Sequence, residues 1–343
     1  MDVAEFDYAL PADRIAQQPL SRRDSARLLV DRGAGRPPVD THVSDLPRLL
    51  RPGDVVVANR TRVRPARLAL RKPTGGLVEV LLLEQHADDS WEALVRGSRG
   101  VAAGTRLRPV DDRGDDRFEV ELLDEPGHDR RCVRVRTAGG LDDALARHGV
   151  VPLPPYITEE LADAERYQTV FAHRAESAAA PTAGLHLTDR VLQRLAARDI
   201  DVAFVELVVG LDTFRPMSAD KVEDHVMHGE RYRVPDETWR RVQAAERVVA
   251  IGTTTLRALE SAALTGELEG RTELFVHRGF PFAVVDVLMT NFHLPRSSLL
   301  VLIDAFVGPR WRDFYAHALE NDYRFLSFGD AMLLDRTTIG STE

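Results

Sequence analysis

The sequence predicts an α/β protein whose main domain is built on a mostly parallel sheet, with a small antiparallel β-barrel inserted into it. After about residue 150, apolar strand-like segments alternate with helical ones, a pattern typical of βαβ units. Between about residues 65 and 149, short alternating segments are separated by Gly and Asp clusters, which favours a barrel. The first 64 residues are too few to build a core alone. We therefore predict a discontinuous α/β domain (1–64 and 150–343) and an inserted barrel (65–149).

The elements of the two predicted domains follow from local patterns. In the first segment, Pro52-Gly-Asp54 leads into the strand Val55–Ala58. The barrel strands are predicted at Leu77–Leu83, Trp91–Val95, Phe118–Leu123 and Cys132–Arg136. In the α/β part, Thr188 is a predicted N-cap. The helices and strands there are predicted at Asp189–Ala197, Val202–Val209, Val248–Ile251, Leu256–Ala263, Val284–Met289 and Ser298–Val307.

Composition excludes several classes of protein. The 343 residues are 44% hydrophobic and 29% charged, as in globular proteins. Cys132 is the only cysteine, which excludes an internal disulfide and a cysteine-based zinc cluster. The first 20 residues lack an apolar segment and no run of 18 apolar residues occurs. We therefore expect no signal peptide, no membrane span and a cytoplasmic location.

Charge and glycine patterns limit the ligands. The net charge of −9 does not exclude RNA, because a local basic patch is enough for phosphate binding. Lys72 and Lys221 are the only lysines, and neither GxxxxGK[ST] nor GxGxxG occurs. The sequence therefore gives little support to an ordinary nucleoside-triphosphate or dinucleotide site.

A loop rich in small residues, Ala178–Thr188, is the strongest candidate site. It brings Thr182, Gly184 and His186 together just before a helix. Small residues allow the backbone to approach a ligand, and an imidazole can transfer protons. The alternative is a loop that only packs against the core.

Two strand–helix junctions carry similar polar groups. Thr253-Thr254-Thr255 follows one predicted strand, and Thr290, Asn291 and His293 follow another. Ligands of open α/β sheets bind beyond the carboxyl ends of the strands, where helix N-termini attract anions. We therefore predict a crevice shared by both junctions and the loop. The alternative is that the threonines only cap helices.

Three further clusters are ambiguous. His225 and His228, with Glu230 close by, could bind a metal as a pair of histidines three residues apart, but no third ligand stands at a recognisable spacing. We therefore predict no metal site and interpret the segment as a solvated turn with one contributing acid or histidine. The basic run with Arg60, Arg62 and Arg64 indicates either phosphate contacts or a solvated surface. Near the carboxyl end, Gly329-Asp330 either faces a pocket or belongs to the core.

Taken in order, these motifs closely resemble the S-adenosylmethionine:tRNA ribosyltransferase-isomerase family of queuosine biosynthesis. The resemblance covers nearly the whole chain. The matching stretches are Phe6–Pro11, Ile15–Gln17, Gly53–Asp54, Asn59–Leu68, Pro152–Ile157, Tyr167–Val170, Ala179–His186, Gly252–Thr254, Arg257, Leu259–Ser261, Thr290–Pro295 and Gly329–Met332.

The resemblance implies an α/β domain with an inserted barrel, and an unusual reaction. The family moves and isomerises the ribosyl part of S-adenosylmethionine onto 7-aminomethyl-7-deazaguanine in tRNA. Epoxyqueuosine forms, and adenine and methionine are released. S-adenosylmethionine is thus a substrate, no further cofactor is expected, tRNA is the partner, and we expect a monomer.

The resemblance also suggests roles for the candidate residues. The sulfonium acidifies the C5′ protons, and His186 or His293 is the candidate base. Arg257 is a candidate partner of the methionyl carboxylate or of a tRNA phosphate. Glu230 and Asp330 would hold the acceptor amine or the ribose. The remaining candidates for donor binding are Thr182, Gly184, Thr253, Thr254, Thr290 and Asn291, and those for tRNA binding are Arg60, Arg62 and Arg64.

The chain departs from the family pattern at several positions. Val208 replaces a histidine, Ala283 a common lysine, and His277-Arg-Gly279 the usual Tyr-Pro-Gly. The other departures are Arg60, Glu176 and Asp212. They leave two alternatives open: a paralogue that uses S-adenosylmethionine with another acceptor, or a catalytically silent RNA- or nucleoside-binding protein.

Overall fold

The computed structural model describes residues 1–97, 101–110, 117–124, 130–210, 216–227 and 229–336. The chain forms two compact units. The first comprises Met1–Arg62, Pro154–Arg174 and Ala180–Glu343, and the second comprises Val63–Leu153 and Ala175–Ala179. The predicted fold class is confirmed, because the first unit contains a sheet with a parallel centre and the second a closed antiparallel barrel.

The strands are numbered here in chain order. They are β1 (Arg27–Val30), β2 (Val39–His42), β3 (Asp54–Asn59), β4 (Arg62–Val63), β5 (Arg67–Arg71), β6 (Leu77–Gln85), β7 (Ser90–Arg96), β8 (Arg106–Pro109), β9 (Glu119–Leu122), β10 (Arg130–Arg136), β11 (Gly149–Val150), β12 (Ala175–Ser177), β13 (Asp201–Leu207), β14 (Glu230–Arg233), β15 (Arg247–Ile251), β16 (Glu269–Thr272), β17 (Val287–Asn291) and β18 (Ala331–Asp335).

The α-helices are numbered in the same way. They are α1 (Leu46–Leu49), α2 (Leu141–His148), α3 (Asp189–Ala196), α4 (Asp236–Ala244), α5 (Thr253–Thr265), α6 (Ser298–Val307) and α7 (Trp311–Glu320). Short 3-10 turns connect several of them, including Thr182–His186 in the predicted site loop.

The large sheet has the strand order β16-β14-β13-β3-β15-β17-β18-β1-β2. Its four central strands, from β13 to β17, are parallel to each other. The outer pairs β13–β14, β14–β16, β17–β18 and β1–β2 are antiparallel. All six residues of β3 are buried, as expected for a parallel strand covered on both faces. The carboxyl ends of the central strands therefore meet at one edge of the sheet.

Helices cover the sheet where the apolar pattern requires it. Val191 and Leu195 of α3 pack into the same core as Val56, Val249 and Met289. The N-cap prediction for α3 is confirmed, since the Thr188 side chain accepts a hydrogen bond from the Val191 N–H at 3.3 Å.

Several boundaries differ from the sequence prediction by a few residues, and two of these differences bear on the site. Helix α5 begins at Thr253 instead of Leu256, because Gly252 adopts a φ of +90° that turns the chain directly into the helix. Strand β17 begins at Val287 instead of Val284. The N–H groups of Val284 and Val285 donate to the Glu260 carboxylate and not to a neighbouring strand.

The second unit contains the closed barrel. Its ring has the order β5-β6-β7-β10-β9-β8, the pairing of β5 with β8 closes it, and β11 adds to β5. The ring pairings are antiparallel. Alternate side chains of the strands point into a core that includes Leu68, Val80, Leu107 and Val133. In the ranges that the structure describes, neither unit has a helix long and apolar enough to cross a membrane.

Glu260 is a fully buried carboxylate that holds the segment before β17. It lies on α5 and accepts three backbone hydrogen bonds, from Ala283 (2.8 Å), Val284 (3.1 Å) and Val285 (2.8 Å). These donors satisfy the charge that burial would otherwise penalise. The contact fixes where β17 starts and so where its polar carboxyl end lies.

We expect Glu260→Gln to destabilise the first unit by about 2–3 kcal/mol. The amide keeps only one acceptor oxygen, and its NH₂ group would face a backbone N–H, so that two donors would meet without an acceptor. Urea unfolding would measure this loss. The matched control is Glu320→Gln on the exposed end of α7, for which we expect no change. Equal unfolding midpoints for the two variants would contradict the assigned role.

Candidate active site

A pocket lies at the carboxyl edge of the central strands, within the first unit. Its empty space, including the part open to solvent, is about 590 Å³. Six residues predicted from the sequence line it: Thr182, Thr253, Thr254, Thr290, Asn291 and His293. The structure thus brings the site loop and both strand–helix junctions to one place.

The α5 junction presents a helix N-terminus to the pocket. Gly252 donates to the Met289 carbonyl at 2.7 Å, and its left-handed backbone starts the helix at once. Thr255 turns back and donates to the Ile251 carbonyl at 2.7 Å, so its hydroxyl is structural. Thr253 and Thr254 line the pocket instead. The first-turn N–H groups of a helix lack intrahelical acceptors, which favours an anionic ligand group there.

The Asn291 side-chain amide connects three segments of the site. Its Nδ2 donates to His186 Nε2 (2.9 Å) and to the backbone carbonyl of Asp330 (3.4 Å). Its Oδ1 accepts from the Thr182 hydroxyl at 3.3 Å. The carbonyl can only accept, so the amide orientation is fixed and His186 Nε2 must be the unprotonated nitrogen.

His186 is therefore a positioning residue in this arrangement. Burial lowers its pKa to about 4, and interactions with Asp330 and the backbone of Arg23 oppose this shift only partly. The ring is neutral at pH 7 and its Nε2 is occupied by Asn291. It borders a smaller second cavity rather than the main pocket.

His293 faces the main pocket. Its Nε2 lies 3.1 Å from the Thr290 hydroxyl, and its Nδ1 has no hydrogen-bond partner among the described residues. The backbone N–H of His293 donates to the Tyr315 hydroxyl at 2.9 Å, and its backbone carbonyl accepts from the Tyr8 hydroxyl. Burial lowers its pKa to about 3. It is thus a fixed neutral imidazole, the form that can accept a proton.

The other predicted polar groups do not line the pocket. The Asp330 carboxylate accepts from the backbone of Arg27 and Arg324, each at 2.8 Å, and pairs with the Arg27 guanidinium. Glu230 accepts from the Gly210 N–H at 2.9 Å and forms a buried ion pair with Arg257. These carboxylates hold the loops around the site.

Arg257 and Gly184 also lie behind the pocket lining. Arg257 Nε donates to the Leu274 carbonyl at 3.0 Å, and its buried Nη2 has no hydrogen-bond partner in the part of the chain described. A Cβ added to Gly184 would lie 3.0 Å from Thr169 Cγ2 and 3.2 Å from the Phe171 ring. A larger residue would therefore require these two side chains to give way by a few tenths of an ångström.

The three predicted tRNA-binding arginines have different environments. Arg60 contacts the Glu206 carboxylate at 2.9 Å, and Arg62 forms an ion pair with Glu165. Arg64 belongs to the second unit, where its guanidinium lies 5.0 Å from the Trp91 ring centroid.

The residues at which the chain departs from the family pattern have different environments. Val208 is half-buried and donates to the Arg231 carbonyl at 2.9 Å. Ala283 is held by Glu260, and Glu176 lies in β12 of the second unit. His277 stacks edge-on against Phe275 at 5.7 Å, as does His225 at 5.3 Å. Asp212 and His228 lie outside the described residues.

Sequence reasoning missed several residues that line the pocket. Tyr156 and Ser327 share a 2.7 Å hydrogen bond between hydroxyls in its wall, and Leu326 beside them has a φ of +68°. Such a conformation is unusual for a branched residue and is typical of functional sites. Tyr156 stood in a recognised segment, Pro152–Ile157, but Ser327 did not, and their spacing of 171 residues gave no sign of contact.

The fold and the pocket define an α/β protein with a candidate small-molecule site at the carboxyl edge of its parallel strands. Comparisons with known proteins all indicate one family. The family model described as queuosine biosynthesis protein matches residues 3–334. The S-adenosylmethionine:tRNA ribosyltransferase-isomerase of Moorella thermoacetica is 46% identical, covering 97% of this chain and 100% of the relative. That of Rubrobacter xylanophilus is 49% identical, covering 97% and 98%.

A solved structure agrees with these relatives. The crystal structure of an S-adenosylmethionine tRNA ribosyltransferase from Thermotoga maritima matches with a TM-score of 0.54 and 33% identity. The match covers 96% of this chain and 99% of that one. The chain therefore belongs to the queuosine biosynthesis protein family.

The two buried histidines predict a loss of stability in mild acid. Histidines in the unfolded chain titrate near pH 6.5, whereas His186 and His293 titrate at about 4 and 3. Between these values the unfolded state binds more protons, so stability falls as the pH drops below 6.5 and is fully present above it. We expect a loss of about 2 kcal/mol per histidine by pH 5.

Urea unfolding at pH 7, 6 and 5 measures this dependence. His293→Gln should remove about half of the decline, because one of the two groups is gone. A decline of the same size in the wild type and the variant would show that His293 titrates normally.

Proposed function

We propose that this protein transfers and isomerises the ribosyl part of S-adenosylmethionine onto 7-aminomethyl-7-deazaguanine in tRNA. The product is epoxyqueuosine-tRNA, with adenine and methionine released. One observation carries the proposal. The chain is 46% and 49% identical to two enzymes named for this activity, and its family motifs converge on one pocket at the carboxyl ends of the central strands.

The pocket supports a donor-binding role. His293 lines the pocket beside the Thr290 hydroxyl and is the candidate base for a C5′ proton made acidic by the adjacent sulfonium. Because burial lowers its pKa to about 3, substrate binding would have to raise that pKa for efficient proton transfer near pH 7. The α5 N-terminus with Thr253 and Thr254 suits the methionyl carboxylate or ribose hydroxyls. Asn291, held by His186, orients the opposite wall. S-adenosylmethionine serves as substrate, and we propose no additional cofactor.

We further propose that the protein acts as a monomer in the cytoplasm, where tRNA is found. A second candidate function, transfer to another acceptor, is favoured by Val208 and Ala283, which stand where the family has histidine and lysine. Both candidates require S-adenosylmethionine, and they differ in the RNA product.

The deciding experiment combines the purified protein, S-adenosylmethionine and an anticodon stem-loop carrying 7-aminomethyl-7-deazaguanine, followed by mass spectrometry. We expect the modified base to become epoxyqueuosine, with adenine and methionine released in equal amounts. A relative of established activity serves as the positive control. Unchanged RNA alongside an active control would refute the proposed reaction, and S-adenosylmethionine binding without conversion would favour another acceptor.

His293→Gln tests the proposed base. Loss of a general base typically lowers turnover by roughly 10²–10⁴-fold, so we expect kcat to fall by this order while KM for S-adenosylmethionine changes little. The control is His317→Gln, which alters a surface histidine paired with Asp40. A kcat within threefold of the wild type would exclude His293 as the base.

A further inference from the structure

Three arginines surround one buried carboxylate near the carboxyl end of β13 in the large sheet. Glu206, only 7% exposed, contacts Arg60 at 2.9 Å, Arg174 at 3.8 Å and Arg233 at 3.9 Å. The side chains of these arginines are 30%, 51% and 46% exposed. We call this set the Glu206 arginine cluster. The carboxylate is inside and the guanidinium groups face outward.

The fold places the cluster at the pocket's edge of the sheet. Glu206 and Arg233 are paired residues on β13 and β14. Arg60 directly follows β3 and donates its N–H to the Val205 carbonyl at 3.0 Å. The residue before it, Asn59, lies 3.4 Å from the hydroxyl of Thr254, which lines the pocket. Arg60, at the end of β3, is therefore one strand away from β15 and its α5 junction, whereas Glu206 on β13 is two strands away; the cluster lies near the pocket but does not line it.

The cluster carries more positive than negative charge. Three guanidinium groups offer about fifteen N–H donors, and one carboxylate cannot satisfy them. Arg233 also lies 3.9 Å from Glu269, but that side chain is 80% exposed, where screening weakens the pair. Two more arginines, Arg231 and Arg271, are paired residues on the neighbouring strands β14 and β16. Counting Arg60, Arg174 and Arg233 against Glu206 and Glu269, the described side chains of the cluster carry a net positive charge, on a chain whose net charge is −9.

We propose that the Glu206 arginine cluster binds a backbone phosphate of the tRNA, next to the nucleotide that enters the pocket. The proposal rests on the proposed function and identifies where the polynucleotide contacts the first unit. Guanidinium forks match phosphate oxygens in geometry and charge. The buried Glu206 holds the arginines in place before the RNA arrives, which reduces the conformational cost of binding.

The cluster also changes the interpretation of the predicted basic run. Of Arg60, Arg62 and Arg64, Arg60 belongs to the cluster, whereas Arg62 pairs with Glu165. Arg174 and Arg233 come from distant parts of the sequence and were not predicted. Since Arg60 stands where the family has Asn or Asp, the contact involves this chain's own residue.

The test measures tRNA binding separately from turnover, across a salt series. For Arg174→Ala and Arg233→Ala we expect roughly five- to tenfold weaker binding of unmodified tRNA, and a salt slope reduced by about one. KM for tRNA should rise, whereas KM for S-adenosylmethionine should not. The matched control is Arg198→Ala, an exposed arginine just before β13 at the opposite edge of the sheet.

Each outcome decides the proposal. Affinities and salt slopes equal to those of Arg198→Ala would overturn it, as would a raised KM for S-adenosylmethionine with unchanged tRNA binding. If the wild type binds tRNA but forms no epoxyqueuosine, the proposed reaction fails while the arginine assignment is still judged by the variants. Wild-type protein without tRNA affinity would overturn both.

Discussion

The side-chain amide of Asn291 holds the site together. It stands at the carboxyl end of β17 and bonds to Thr182 and His186 in the site loop and to the carbonyl of Asp330 before β18. A carboxylate of the same shape could not donate to either acceptor, and a shorter side chain could not span them. The walls of the pocket, and the tautomer of the histidine behind them, therefore depend on one amide.

Much of the fold was accessible from the sequence because apolar periodicity reports burial directly. The barrel and the strand–helix alternation follow from it, and so does the convergence of Thr253 and Asn291. The exact start of β17 was not accessible, since it depends on the buried Glu260, which binds the backbone of residues 283–285. That contact crosses 23 residues of sequence, and no local pattern encodes it.

Residue type predicted which side chains could take part in catalysis or binding, but not which hydrogen-bond or ionic partners each would have in the fold. Asp330, Glu230 and Arg257 were candidates because charged side chains suit a polar substrate, yet the fold surrounds each with backbone or ionic partners. His186 and His293 are equivalent as residue types, but an amide donor reaches Nε2 of one and a hydroxyl lies beside Nε2 of the other. The partner of His186 is 105 residues away in the sequence, so no local pattern shows this difference.

The sheet order has a consequence for how the chain is made. Strand β1, near the amino end, pairs with β18 in the register Leu28 with Ala331, and with β2 on its other side. At translation rates of about 5–20 residues per second, β18 is synthesised roughly 15–60 s after β1, so β1 lacks this partner strand during that time. The pocket wall at Leu326 and Ser327 emerges just as late. A ribosome-bound chain therefore passes through most of its synthesis without a usable site, and the binding pocket arises as one of the last events of co-translational folding.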